Sequence, residues 1–206
     1  MYKNRKEAGE KLANELKEFK DSDAILLAIP RGGVPVAYEI GKALNLDVDV
    51  IVVKKIEHPN NPEYAVGAAS TSSSYINTKN IRGVSEQYLE KQKQVKQEEA
   101  KAVYRQLRGD KEPLDLEGKN VVLVDDGVAT GSTLRMAVRV VKNLGSNRVI
   151  VAVPVGSPQA IAMLKQEVNE VFCPFQPTML GAIGQFYEDF SQVPTEQAKE
   201  MLLRLE

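Results

Sequence analysis

The sequence predicts an α/β fold, a mainly parallel sheet flanked by helices. Three observations carry this. Short continuous apolar runs at 24–29, 48–53, 120–124, 148–155 and 170–173 have the length and β-branched content of buried strands. Several segments between them place apolar residues at helical spacing. Strand, helix and strand in that order make βαβ units, which build parallel sheets. The chain has 206 residues and is 43% apolar, enough for one core without metal or disulfide staples.

The elements follow in order. MYKNRKEAGEKLANELKEF reads as an amphipathic helix with Ala8, Leu12, Leu16 and Phe19 on one face. AILLAI (24–29) is the first strand and PRGG (30–33) breaks it. Ala37, Ile40 and Leu44 then mark a helix. VDVIVV (48–53) is the second strand, ending in Lys54 and Lys55. KIEHPNNPEY is turn-rich, and YAVGAAS and SYINTKN are two short strands around TSSS. Residues 84–108 form a charged helix with a thin stripe of Val84, Tyr88, Val95, Val103 and Leu107. Such a helix lies on the core or on a partner subunit. NVVLV (120–124) resumes the strand–helix rhythm, and the helix bearing Leu134, Ala137, Val138, Val141 and Leu144 closes at Gly145. RVIVAVPV (148–155) is a strand, Ser157 and Pro158 start another helix, and EVFC (170–173) is the last strand. The tail, PFQPTMLGAIGQFYEDFSQ, is less regular and rich in aromatics.

Composition excludes several function classes. Lys and Arg total 27 against 28 Asp and Glu, so no basic footprint for nucleic acid is expected. Cys173 is the single cysteine, which excludes an intrachain disulfide, suits a reducing compartment and reads as a small core residue. The amino terminus lacks the apolar core of a signal peptide, and no run reaches the roughly 18 apolar residues of a membrane span. The expectation is a soluble cytoplasmic protein with no membrane partner. His58 is the single histidine, so zinc clusters and histidine triads have no support.

VVLVDDGVATGST (121–133) carries the chemistry. Ligands of open parallel sheets bind beyond the carboxyl ends of the strands, where Asp125 and Asp126 stand. The turn that follows leads into a helix, whose unpaired N–H groups and positive dipole end attract phosphate. Small residues let phosphate reach the backbone, and Thr130, Ser132 and Thr133 add hydroxyl donors. Carboxylates suit the vicinal hydroxyls of a sugar, or a magnesium ion, one step along the same ligand. A phosphate at one end and a diol in the middle describe a ribose 5-phosphate. The P-loop pattern is absent, because Ser132 follows Gly131 where a lysine belongs. No G-x-G-x-x-G follows a predicted strand, which disfavours a dinucleotide.

The apolar strand, two acids and GVATGST resemble the phosphoribosyl-pyrophosphate (PRPP) signature of the type I phosphoribosyltransferases. The core resemblance covers roughly residues 24–173, and it implies the type I phosphoribosyltransferase-like version of the fold. It also implies that Asp125 and Asp126 contact the ribose 2′- and 3′-hydroxyls, while Ala129, Thr130, Gly131, Ser132 and Thr133 hold the 5′-phosphate. IPRGGVP is similar to the family's pyrophosphate loop, in which Arg31, Gly32 and Gly33 would meet the pyrophosphate. The two glycines can take positive φ, which a nest of amides often needs. Lys54 and Lys55 resemble the basic pair that meets pyrophosphate in several members, sometimes across a dimer interface. Each is equally a plain solvated lysine. The turn around His58 lies where relatives carry a mobile active-site loop, although His58 itself reads as a loop residue without function.

Resemblance further implies magnesium as cofactor with no direct protein ligand, PRPP as donor and a small-molecule acceptor left unidentified. Ala129 stands where hypoxanthine–guanine enzymes carry an acid, and the purine-clamping lysine of those enzymes has no match in VIVAVPV. The whole chain is also similar to an uncharacterised group of predicted phosphoribosyltransferases, through NRKEAG, IPRGG, NPEYAVGA, LVDDGVATGST and GQFYEDFSQ. On this reading residues 1–206 form one domain, with 56–115 as a loop and helical insertion and 174–206 as a hood over the acceptor. Phe186 and Tyr187, with Phe175, are the hood aromatics that could face a planar base, or simply pack the tail on the core. Glu188 and Asp189 are candidates for a general base, and no catalytic residue is assigned. A non-catalytic PRPP- or nucleotide-binding regulator is the alternative. A homodimer and a monomer both remain open.

Overall fold

The computed structural model describes residues 1–205; Glu206, at the end of the 174–206 hood segment, lies outside the described residues. Five strands form a parallel sheet in the order β2-β1-β6-β7-β8: β1 (Ile25–Ala28), β2 (Asp47–Val50), β6 (Asn120–Val124), β7 (Arg148–Ala152) and β8 (Glu170–Phe172). The chain runs outward from β1 to β2, then returns to the far side of β1 to lay down β6. The order therefore reverses between β1 and β6, and a crevice opens beyond their carboxyl ends.

Strand alternation divides the core between the two faces of this sheet. Leu26, Ala28, Val48, Val50, Val122 and Val124 face one side. There they pack with α2 (Gly33–Leu44) and, in the same apolar cluster, with residues of α1 (Arg5–Glu15) and α6 (Thr195–Leu203). Ile25, Leu27, Val121, Leu123, Val149 and Val151 face the other, under α4 (Ser132–Asn143) and α5 (Pro158–Lys165). Ala8, Leu12, Leu16 and Phe19 are all buried, as their helical spacing implies. The helix α6 is absent from the sequence reading. Ala198 and Leu202, four residues apart, are the buried pair that seats it.

The middle of the chain departs from the sequence reading in two ways. VDVIVV does not run as one strand: β2 stops at Val50, and Lys54 and Lys55 instead open β3 (Lys54–His58). This strand starts a separate antiparallel sheet with β4 (Asn61–Ala69) and β5 (Ser74–Ile76). The turn-rich stretch is thus mostly strand, reduced to a turn at Pro59 and Asn60, with register shifts on both sides of Glu57. The second sheet has its own apolar cluster of Ile56, Val66, Ala69 and Leu89.

Helix α3 (Glu86–Arg108) ties this small sheet to the main core. Its first turns bring Leu89 to the hairpin, and its last turns bury Ala100, Tyr104 and Leu107 in the main cluster. Val95, placed in the stripe by spacing, is 41% exposed because it lies between these two docking sites. At the far end Asp49 of β2 is a buried carboxylate with a full set of donors. Tyr104 Oη donates at 2.9 Å, the amides of Val50 and Leu114 at 2.8 and 3.2 Å, and Arg108 Nε lies 3.0 Å away. Burial, then the Asp49 charge, pushes the Tyr104 hydroxyl well above its ordinary range. Removing one partner of a buried pair costs about 3–5 kcal/mol, because the other stays desolvated. Asp49→Ala is therefore expected to lose about that much in urea denaturation, and Tyr104→Phe about 1.5–3 kcal/mol. Small and equal losses would show that α3 is held by its apolar contacts alone.

Candidate functional site

The crevice between β1 and β6 is built by close backbone approach. The loop after β1, which includes a cis peptide between Pro30 and Arg31, turns directly into α2. A Cβ on Gly33 would lie 2.5 Å from the Val124 carbonyl oxygen, and one on Gly32 would lie 2.2 Å from Asp126 Oδ2. Neither glycine has positive φ; Gly32 sits at φ −60°, ψ −37°. The sequence suggests that they supply a left-handed turn. They supply room instead, and the room is filled by the end of β6.

Asp125 and Asp126 follow β6 side by side. Asp125 Oδ1 accepts the Asp126 amide at 2.8 Å. Arg5, the first residue of α1, donates from Nε to Asp126 Oδ2 at 2.8 Å and from an Nη to the Ser191 carbonyl at 2.8 Å. Its guanidinium lies 3.9 Å from the centre of the Phe190 ring. Desolvation, and then the neighbouring Asp126 charge, raise the Asp125 carboxyl well above the usual carboxylate range. Asp126 is also raised by desolvation, with Arg5 opposing the shift. Both acids line a cavity of about 520 Å³ with Arg5, Arg31, Gly32 and Thr133.

The loop 129–133 leads into α4 at the same edge. Gly131 has φ +76°, a left-handed turn that other residues rarely adopt, and Arg135 N–H closes the first helical turn on its carbonyl at 2.9 Å. The N-cap residue Gly131 has no side chain to cap α4, and the Ser132 amide makes only a long bond, 3.4 Å, to Thr130 Oγ1. Ala129, Thr130, Ser132 and Thr133 are exposed. The loop is tied from behind by Ser157, whose hydroxyl donates to the Ala129 carbonyl at 2.6 Å and whose amide donates to the Val128 carbonyl at 2.9 Å. A helix start of this kind in a small-residue loop presents backbone N–H groups to the cavity edge.

The two lysines part company because successive residues of a strand face opposite ways. Lys54 lines a cavity of about 310 Å³ with Arg31, Thr133 and Thr195. Lys55 lines another with Ser132, Arg135 and Tyr64, and donates to the Pro62 carbonyl at 2.8 Å. Arg31 donates to Thr195 Oγ1 at 3.0 Å, so the unforeseen α6 contributes a hydroxyl to this wall. His58 sits at the hairpin end with Nδ1 accepting the Asn60 amide at 3.2 Å.

The remaining wall of the 520 Å³ cavity comes from the two ends of the chain. Residues Ile183, Phe190, Gln192 and Val193 line the 520 Å³ cavity. Tyr187 is buried behind it, donating to the Asp126 carbonyl at 2.6 Å and packing against Tyr2 and Phe190, with ring centroids 5.5 and 5.0 Å away. Phe186 pairs edge-on with Phe175 at 5.4 Å and is not among the cavity-lining residues. Glu188 and Asp189 are exposed; their amides donate to the Tyr2 and Lys3 carbonyls, both at 2.9 Å, which clips the amino terminus to the tail. Burial pushes the half-buried Cys173 thiol up to about 12, and its Sγ lies 3.4 Å from the Phe175 carbonyl. The sequence reading misses Arg5, Ile183, Phe190 and Thr195. Arg5 and Phe190 occur there only within NRKEAG and GQFYEDFSQ, and Arg5 leaves one further trace: a cation at a helix start opposes the helix dipole.

The family model for the phosphoribosyl transferase domain matches residues 2–191. A Mycobacterium tuberculosis protein provisionally named a phosphoribosyl transferase is 32% identical over 99% of this chain, which spans 47% of that relative's length. A shorter stretch, 28% of the chain, is 38% identical to the ribose-phosphate pyrophosphokinase of Pyrococcus furiosus, 22% of which it covers. Among solved structures, TT1426 from Thermus thermophilus superposes with a TM-score of 0.87 at 35% identity, covering 99% of this chain and 98% of that one. The chain belongs to the phosphoribosyl transferase domain family.

Proposed function

We propose that the chain transfers ribose 5-phosphate from PRPP to an unidentified acceptor, with nucleobases the first class to test, and releases pyrophosphate. The observation that carries this reading is the meeting of three features at one sheet edge: the acid pair, the uncapped start of α4 and the loop at Gly32. The α4 amides and the hydroxyls of Thr130, Ser132 and Thr133 would hold the 5′-phosphate. Asp125 and Asp126 would accept from the ribose hydroxyls and favour positive charge developing at C1. Arg31 and Lys54 face one cavity and would receive the pyrophosphate. Lys55 would act from the opposite face of β3 or serve the hairpin alone.

Magnesium bound to the pyrophosphate would neutralise the leaving group. The wall fits such a charged ligand, since Arg31 and Lys54 balance the remaining anion while the carboxylates stay beside the sugar. The acceptor would enter against Ile183, Phe190 and Gln192. A cytoplasmic setting in nucleotide metabolism and a homodimer belong to the same reading. Ala129, which carries no acid or base, also suits a sensor that binds PRPP without turnover. Pyrophosphate release with any base of a panel decides for the transferase.

At about 100 times its Kd, PRPP with magnesium is expected to add about 2.7 kcal/mol of stability, seen as a raised melting temperature. The double variant Asp125→Asn, Asp126→Asn is expected to abolish that rise; an unchanged rise would remove the acids from the site.

Gly32→Ala places a methyl group 2.2 Å from the present position of Asp126 Oδ2 and must displace that carboxylate. Isothermal titration should show PRPP affinity reduced at least tenfold, roughly 1.4 kcal/mol, with the circular dichroism spectrum unchanged.

The acids also set a stability trend. Because the folded Asp125 pKa is raised, the folded chain keeps a proton that the unfolded chain has released. Stability from this residue is therefore lost as pH rises from the ordinary carboxylate range through the raised value. Asp125→Asn should raise the melting temperature of the ligand-free protein more at about pH 8 than at about pH 5. A pH-independent effect would show that the carboxylate is not the cause.

A further inference from the structure

We propose that Arg5 is the positioning residue for the sugar-facing acid: it holds Asp126 as a carboxylate, fixes Oδ2 and leaves Oδ1 to the ligand. This role rests on the phosphoribosyl reading for its purpose, though not for its geometry. Two acids adjacent in sequence and largely withdrawn from water would ordinarily share a proton, since desolvation and mutual repulsion both disfavour a second charge. A proton on Asp126 would turn the acceptor at the cavity into a donor. Arg5 opposes that, so the proton the pair retains is left to Asp125. Its Nε bonds Asp126 Oδ2 at 2.8 Å, with Arg5 and Asp126 side chains 11% and 13% exposed. Charge-assisted pairs of this length and degree of burial are the strong ones.

The position of the carboxylate is equally constrained. Oδ2 is gripped between Arg5 and the backbone at Gly32, where no Cβ would fit. Among the described residues no other residue's side chain bonds Oδ1, and Asp126 borders the cavity. Arg5 is itself fixed from two sides, by the Ser191 carbonyl and by the Phe190 ring. A guanidinium can satisfy this geometry and an ammonium cannot, because the former is a planar fork that also stacks. The arrangement couples the amino-terminal helix and the hood to the sugar site through one side chain.

The groups facing the acid pair are few. Arg5 comes from α1, Arg31 from the loop before α2, and Tyr187 with its hydroxyl on the Asp126 carbonyl from the tail. The exposed Asp189, whose carboxyl is lowered chiefly by hydrogen bonds from Ser191, also feels the Arg5 charge. Arg5 is the one cation bonded to either acid among the described residues.

Two readouts separate this inference from the phosphoribosyl reading. Carboxyl carbon NMR of the ligand-free protein follows the titration of the acid pair without any ligand. In Arg5→Gln the apparent pKa of the pair should rise by about one unit or more, as expected when an adjacent opposite charge is lost. Arg5→Lys should give a smaller rise. Calorimetric titration with magnesium and PRPP then tests the purpose. Arg5→Gln should bind at least tenfold more weakly than wild type at about pH 6, with the deficit shrinking towards about pH 9 as the pair ionises unaided. An unshifted carboxyl titration in folded Arg5→Gln overturns the inference, whatever PRPP does. A shifted titration with a pH-independent loss of affinity also overturns it, because Arg5 would then be supporting the fold alone. Wild type that binds no PRPP, beside a shifted titration, overturns the phosphoribosyl reading and the purpose assigned to Arg5 while leaving the measured coupling intact.

Discussion

Two carboxylates side by side at the end of a buried strand repel each other and lose hydration together. The rest of the edge is arranged around that repulsion. Asp125 takes a hydrogen bond from the Asp126 amide, Asp126 takes one from Arg5, and Tyr187 caps the Asp126 carbonyl from behind. Gly32 and Gly33 bring the neighbouring loop against the acids and the end of β6. Gly127, next along the chain, has no space for a Cβ either, because the Ile183 side chain would lie 2.5 Å away. Small residues occur here because the loop after β1, the end of β6 and the Ile183 side chain converge around one charged pair. The parallel sheet makes the convergence possible, since β1 and β6 are sequence-distant neighbours whose carboxyl ends share an edge.

Much of this was legible in the sequence, and the limits have physical causes. The five parallel strands announced themselves as apolar runs because both faces of the sheet are covered. The acid pair and the loop 129–133 were legible because their composition contradicts a buried turn. What failed was mostly local. VDVIVVKK reads as one strand because hydrophobicity does not record where hydrogen bonding changes partner; the chain leaves the main sheet after Val50 and enters another at Lys54. KIEHPNNPEY looks like a loop because Pro and Asn dominate it, yet only Pro59 and Asn60 lie outside the two strands. The conformation of Gly32 was misjudged because a glycine needed for space and one needed for positive φ look alike in a sequence.

Residues supplied by distant segments were the hardest to find. Arg5 lies 121 positions from Asp126 and Thr195 lies 164 from Arg31, separations no spacing rule reaches. Hood aromatics could be named as a group, but their roles could not be divided. Tyr187 is buried as a brace and Phe190 faces the cavity, three residues apart in an irregular segment without a period to read. Periodicity assigns faces only where a helix or strand persists.

These features share one energetic character. Arg5 at a helix start opposes the α1 dipole, Asp125 is a carboxylate largely withdrawn from water, and α4 begins without a side-chain cap. Each departs from what local stability would choose, by amounts of about 0.3–1 kcal/mol for the helix-end terms and more for the desolvated acid. Elsewhere Asn4, Ser85 and Ser157 cap their helices with side-chain hydrogen bonds, although α6 also starts without one, and the buried Asp49 has donors on both oxygens. Several local compromises thus meet at one sheet edge and are compensated by the core. That is the distribution expected when unfilled donors and acceptors are held in readiness for a ligand. A bound anion would cap α4, and a diol would supply the hydrogens that the acids lack. The departures from local stability then become the contacts of the complex, and binding completes interactions that folding left open.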